Sequence, residues 1–132
     1  MIRQLLVWVN ETEEFRSLAL WVLELARALS ARVYAVYIMP DDVRTKRGKK
    51  VAADQEEKAW EVLYEIEDEA FERDVRISLL LESGEPLLRL CELIVSYKTD
   101  LLVVGADCPL SAAELVRHSP KPVLFYKHYK EE

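Results

Sequence analysis

The apolar and polar positions of this chain alternate between two periods. Short runs in which nearly every residue is apolar are separated by longer stretches whose apolar residues recur every three or four positions. The first run, Ile2 to Val9, reads as a strand. A helix follows from about Glu13 to Leu29, with Phe15, Leu18, Ala19, Val22, Leu25, Ala26 and Leu29 on one stripe. Asn10 or Thr12 is placed to cap it, and Glu13 stands where a capping box needs its acid. Arg32 to Ile38 is a second strand, stopped by Pro40.

The segment Asp41 to Lys50 is polar and predicts a loop. A long helix follows from about Val51 to Arg73, with Ala59, Leu63, Ile66 and Ala70 inward. Val75 to Leu81 is a third strand. Ser83-Gly84-Glu85-Pro86 turns into a third helix, with Pro86 at a first helical position, where its missing N–H costs nothing. Its inward stripe is Leu87, Leu90, Cys91 and Ile94. Leu101 to Val104 is apolar on both faces, the mark of a central strand in a covered sheet. Ser111 and Glu114 form a capping box for a short helix ending near His118. Val123 to Tyr126 is the fifth strand.

Strict alternation of strand and helix implies right-handed crossovers and a mainly parallel sheet covered on both faces. The 132 residues suit one α/β domain spanning residues 1–132, and 51% apolar residues argue against disorder. No apolar run reaches the ~20 residues that span a bilayer. Strand pattern begins at once after Met1, with no cleavable leader signature, so the expected address is the cytoplasm. The formal charge of −6 disfavours non-specific attraction to nucleic acid or anionic membrane.

Candidate chemistry is sparse. Cys91 and Cys108 have neither metal-ligand spacing nor a CxxC arrangement, which predicts buried free thiols. A disulfide is the other reading. It gains from a thermophile-like composition, in which Gln4, Asn10 and Gln55 are the only side-chain amides. His118 and His128 have no partner at nucleophile or metal spacing, so a Ser/His/Asp device is unsupported and a hydrolase is disfavoured. The acids Glu56, Glu57, Glu61, Glu65, Asp68, Glu69 and Glu72 read as a solvated helix face rather than a metal site. Arg44, Lys46, Arg47, Lys49 and Lys50 gather in the predicted loop; a solvated loop is preferred to a polyanion contact because no aromatic residues interleave. Leu20, Trp21 and Leu23 lie off the first helix's stripe and fit either a neighbouring helix or a partner surface.

Four stretches together resemble the universal stress protein family. They are Leu5-Leu6-Val7-Trp8-Val9-Asn10-Glu11-Thr12-Glu13, Glu82-Ser83-Gly84-Glu85-Pro86, Asp100-Leu101-Leu102-Val103-Val104-Gly105 and Ala113 to Leu124. The resemblance implies a three-layer, adenine-nucleotide alpha-hydrolase-like α/β fold with an open parallel five-stranded sheet in the order 3-2-1-4-5. The topological switch then lies between strands 1 and 4, where open sheets take ligands at their carboxyl ends. ATP-binding members share a Gly-x-x-Gly stretch and, nine residues on, Gly-Ser or Gly-Thr. Here Gly105 matches the first glycine, Cys108 stands at the second, and the final pair has no counterpart. Only Gly48, Gly84 and Gly105 exist in the chain, while Asp107 adds negative charge and Pro109 lacks an N–H.

The resemblance therefore implies a degenerate-site branch: a non-enzymatic binding or regulatory module with no cofactor. The alternative is an ATP or AMP sensor with a remodelled site at Asn10, Ile38 and Gly105. In the implied order the fifth strand is an edge, yet Val123-Leu124-Phe125-Tyr126 is apolar on both faces, which predicts a homodimer through it. A phosphoacceptor receiver domain, a further five-stranded class, needs paired acids after strand 1 and an aspartate after strand 3. Asn10-Glu11 and Glu82-Ser83 stand in those places.

Overall fold

The computed structural model describes residues 1–40 and 46–128, with side chains described for 1–40 and 53–128. The elements run β1 (Gln4–Trp8), α1 (Phe15–Leu29), β2 (Arg32–Met39), α2 (Lys46–Glu72), β3 (Ile77–Ser83), α3 (Pro86–Ser96), β4 (Leu101–Gly105), α4 (Ala112–His118) and β5 (Val123–Tyr126). The sheet order is β3-β2-β1-β4-β5, and every pairing is parallel. This is the expected α/β architecture and order.

Two apolar layers form because successive strand side chains face opposite ways. Leu5, Val7, Val9, Val33, Ala35, Leu101 and Val103 point toward α1 and α2, where they meet Leu18, Val22, Leu63 and Ile66. Leu6, Trp8, Val36, Leu102 and Val104 point the other way, onto Leu90, Leu93 and Ile94 of α3 and Leu115 of α4. β1 and β4 are buried on both faces, which explains why neither shows polar alternation.

Helix boundaries follow from local chemistry. Pro86 opens α3, and the Glu85 carboxylate accepts from the N–H groups of Leu87 (3.1 Å) and Leu88 (2.8 Å). Gly84 just before it has φ +121°, a conformation side chains rarely adopt. Ser111 caps α4 by accepting from Glu114 N–H at 3.2 Å. Three helix-to-strand turns use non-glycine residues in the left-handed region: Ser30 (φ 54°), Asp74 (φ 56°) and Lys98 (φ 54°).

Several local expectations are corrected. Neither Asn10 nor Thr12 caps α1; its N-cap is Glu14, with no side-chain bond. Residues 10–15 instead turn on main-chain bonds, Thr12 N–H to Asn10 O at 3.0 Å and Phe15 N–H to Thr12 O at 3.1 Å. Leu23 is fully buried while Leu29 is 40% exposed, so the inward face of α1 is rotated from the expected stripe. The same rotation replaces Cys91 by Leu93 on α3. α2 begins at Lys46, not Val51, so Lys46, Arg47, Lys49 and Lys50 are helical rather than in a loop. Lysine and arginine are good helix formers and only Gly48 opposes them. Arg44 and the side chains of that basic segment lie outside the described residues.

Candidate functional site

The strand order reverses between β1 and β4, which leaves a crevice at their carboxyl ends. The register determines what meets there. Val7 pairs with Val103 and Trp8 with Val36. Two residues further on, the same parallel step sets Val9 beside Gly105 and Asn10 beside Ile38. Val9 N–H donates to Val36 O at 2.9 Å, in keeping with that step. Asn10, Ile38 and Gly105 thus lie on the carboxyl rim of three adjacent strands. Asn10 is half-buried, and Ile38 packs on the α3–α4 side of the sheet.

The turn after β4 is bound to β5 and to its own start. Ala106 N–H donates to Tyr126 O at 2.7 Å, and Cys108 N–H donates to Gly105 O at 3.1 Å. Pro109 has no N–H to offer. The Asp107 carboxylate folds back over Gly105: a β-carbon built there would meet Oδ1 at 2.6 Å. The Cys108 thiol donates to Leu110 O at 3.4 Å, and burial raises its pKa. Cys91, on α3, donates to His118 O at 3.4 Å, and burial followed by the charge of Glu85 raises its pKa. Both cysteines are unbridged and half-buried, not fully buried as expected.

His118 is exposed on α4, where it shares a shallow pocket with Glu85, Leu87, Leu88 and Cys91, and the only bond between it and the thiol runs to its main-chain carbonyl; His128 follows β5. No cluster of three or more metal-ligating side chains exists among the described residues. The Trp21 ring packs on Tyr126 of β5, with centroids 5.4 Å apart, while remaining 38% exposed. A cavity of about 330 Å³ lies at the opposite, amino end of the sheet, beneath the ends of α1 and α2. Its Arg73 pairs with Glu69 (2.6 Å) and Glu24 (3.4 Å).

Sequence reasoning missed one further constellation. Beyond β2, Tyr37 and Met39 face a cavity of about 220 Å³ shared with Glu11, Pro40, Gln55 and Lys58. Tyr37 O–H donates to Glu11 Oε1 at 3.4 Å. Burial, then the Glu11 charge and this bond, raise the phenol's pKa. The signal was a phenol at position 37, on a strand face otherwise built from Val33 and Ala35.

A parallel sheet with its switch-point crevice defines a class of α/β proteins that take small ligands or partners at the strand ends. Within that class the chain belongs to the universal stress protein family, whose model matches residues 1–127. Solved structures agree in fold. A universal stress protein in complex with cAMP is 21% identical over 95% of this chain and 97% of its own, with a TM-score of 0.76. An Arabidopsis thaliana family protein with AMP bound is 17% identical, covering 96% and 92% at a TM-score of 0.76. The Archaeoglobus fulgidus protein in complex with dAMP is 22% identical, covering 95% and 98% at 0.71. No curated protein sequence matches the chain. No helix among the described residues is long and apolar enough to cross a membrane.

Proposed function

We propose that this chain is a one-domain, non-catalytic regulatory module of the universal stress protein family. It acts in the cytoplasm as a homodimer through β5 and does not hold a nucleotide triphosphate. One observation carries the second half of that reading. Of the main-chain groups after β4 that could cradle phosphate, Ala106 and Cys108 already donate within the protein and Pro109 has no N–H, which leaves only the N–H groups of Asp107, Leu110 and Ser111 in that turn. Asp107 adds a carboxylate where incoming phosphate charge would approach Gly105.

The dimer half rests on the sheet edge. Leu102 N–H donates to Pro122 O and Ala106 N–H to Tyr126 O, so alternate residues of β5 face β4. In a parallel ladder the main-chain groups of Val123 and Phe125 then face the open edge. An unpaired apolar edge recruits another strand.

A second reading is a nucleotide sensor with a remodelled site. It is favoured by the alignment of Asn10 and Ile38 with Gly105, and by relatives solved with AMP, cAMP and dAMP. Calorimetric titration with ATP, AMP and cAMP, alongside native mass spectrometry of the freshly purified protein, separates the two. The proposal expects a dimer mass, no co-purified nucleotide and no saturable ATP binding. A nucleotide-loaded species transfers support to the sensor.

A further inference from the structure

The cavity beyond β2 holds opposite charges apart. Glu11 comes from the turn after β1, and Gln55 and Lys58 are three residues apart on one face of α2. Met39 and Pro40 supply its apolar lining. No described ion pair joins Glu11 to Lys58. Gln55 Oε1 is buried and has no hydrogen-bond partner among the described residues. A buried acceptor without a donor is costly, so a ligand or water that donates to it is favoured.

Three acceptors line this cavity. The Glu11 carboxylate, the Gln55 amide oxygen and the phenolic oxygen of Tyr37, whose own proton goes to Glu11, all line the same space. An ammonium group has three N–H donors to place on them. The Lys58 ammonium supplies the complementary charge for a carboxylate. At ~30 Å³ per water-sized group, a cavity of about 220 Å³ holds roughly seven non-hydrogen atoms. That is the size of alanine or serine and far too small for a nucleotide.

We propose that this cavity is a binding site for a small zwitterion, an α-amino acid of alanine or serine size. Its ammonium lies against Glu11, Gln55 and Tyr37, its carboxylate toward Lys58, and its side chain on Met39 and Pro40. The site shares no residue with Asn10, Ile38 or Gly105, so it stands or falls independently of the module's nucleotide behaviour.

The test is titration of the full-length protein with L-alanine and L-serine, followed by ¹H–¹⁵N NMR at Tyr37 and Gln55 and by calorimetry. Ethylamine and acetate serve as half-ligands. The expected result is saturable shifts at both residues. Affinity should fall at least about tenfold for each half-ligand and for the Glu11→Gln and Lys58→Met proteins, the scale of one lost charge-assisted contact. Gln55→Leu should weaken binding as well, and a native thermal melt of each variant shows that it is folded. Three results would each overturn the proposal. One is no saturable binding below about 10 mM, which leaves water as the occupant. Another is equal affinity for ethylamine and alanine. The third is undiminished binding by the Glu11→Gln and Lys58→Met proteins.

Discussion

The carboxylate of Asp107 lies over the α-carbon of Gly105, with Oδ1 2.6 Å from where a β-carbon would stand. Gly105 has no positive φ, so its backbone suits any residue and only this carboxylate opposes a methyl group. Replacing a strand glycine by alanine in a permitted conformation stabilises through the unfolded state by about 0.5–1 kcal/mol. That gain should appear for Gly105→Ala in an Asp107→Ala background and be smaller in the wild type. Urea denaturation of the four proteins measures the coupling. Equal effects in both backgrounds would mean the carboxylate does not press on Gly105.

Asp100 ties two strand beginnings together. Its Oδ2 accepts from Arg3 N–H at 2.9 Å and Gln4 N–H at 3.0 Å, and its own N–H donates to Gln4 O at 2.8 Å. The bond from Arg3 is the main cause holding its pKa below the usual carboxylate value. A depressed folded pKa contributes stability that is present above the unfolded value and is lost as pH falls through the folded one. Asp100→Asn should cost about 1 kcal/mol at neutral pH, near the low end because the group is partly solvated. The gap between the two proteins should close below about pH 4. A gap that persists in acid would assign the loss to packing instead.

Trp8 is only 2% exposed, and its indole N–H has no partner among the described residues. Trp8→Phe removes that desolvated donor together with some volume, so its cost should be about 1 kcal/mol, against about 3–5 kcal/mol for Trp8→Ala. Similar losses for the two variants would show that the indole N–H is in fact bonded, for instance to a buried water.

Lys98 holds φ 54° in the turn between α3 and β4, while its carbonyl accepts from Gln4 Nε2 at 3.2 Å. Glycine adopts this conformation without a β-carbon clash and leaves that carbonyl in place. Lys98→Gly should therefore raise stability by about 0.5–1 kcal/mol, read as a rise in thermal midpoint. A drop in the midpoint would show that the lysine side chain contributes more than its backbone costs.

The edge of β5 is open to a main-chain test. Proline at Phe125 removes an outward N–H and leaves the bonds between Tyr126 and Ala106 and between Pro122 and Leu102 intact. Phe125→Pro should abolish the dimer in native mass spectra, whereas Phe125→Leu, which keeps the N–H and most apolar area, should retain it. Persistence of a dimer in the proline variant, with its circular dichroism unchanged, would move the interface elsewhere.

The strands were legible because their composition is one-sided. Leu101 to Val104 has no polar residue, and such a run is stable only when covered on both faces. Helix stripes were legible to within a partial rotation. Leu23 and Leu29 exchanged places because several apolar residues on α1 compete for one face, and the choice belongs to the sheet beneath them. The start of α2 was misplaced because charged residues look alike in a loop and in a solvated helix.

The candidate site divides along the same line. Asn10 and Gly105 could be placed at strand ends from periodicity and resemblance, since both follow recognisable apolar runs. The cavity between Glu11 and Lys58 could not, because it joins residues 47 positions apart whose proximity depends on α2 crossing over β2. Likewise no pattern of letters tells whether the N–H of Ala106 is free or spent on Tyr126. Local preferences and the alternation of apolar residues act between near neighbours and reach the alphabet directly. Hydrogen-bond partners and cavities are set by distances between remote segments, and these exist only once the sheet has closed.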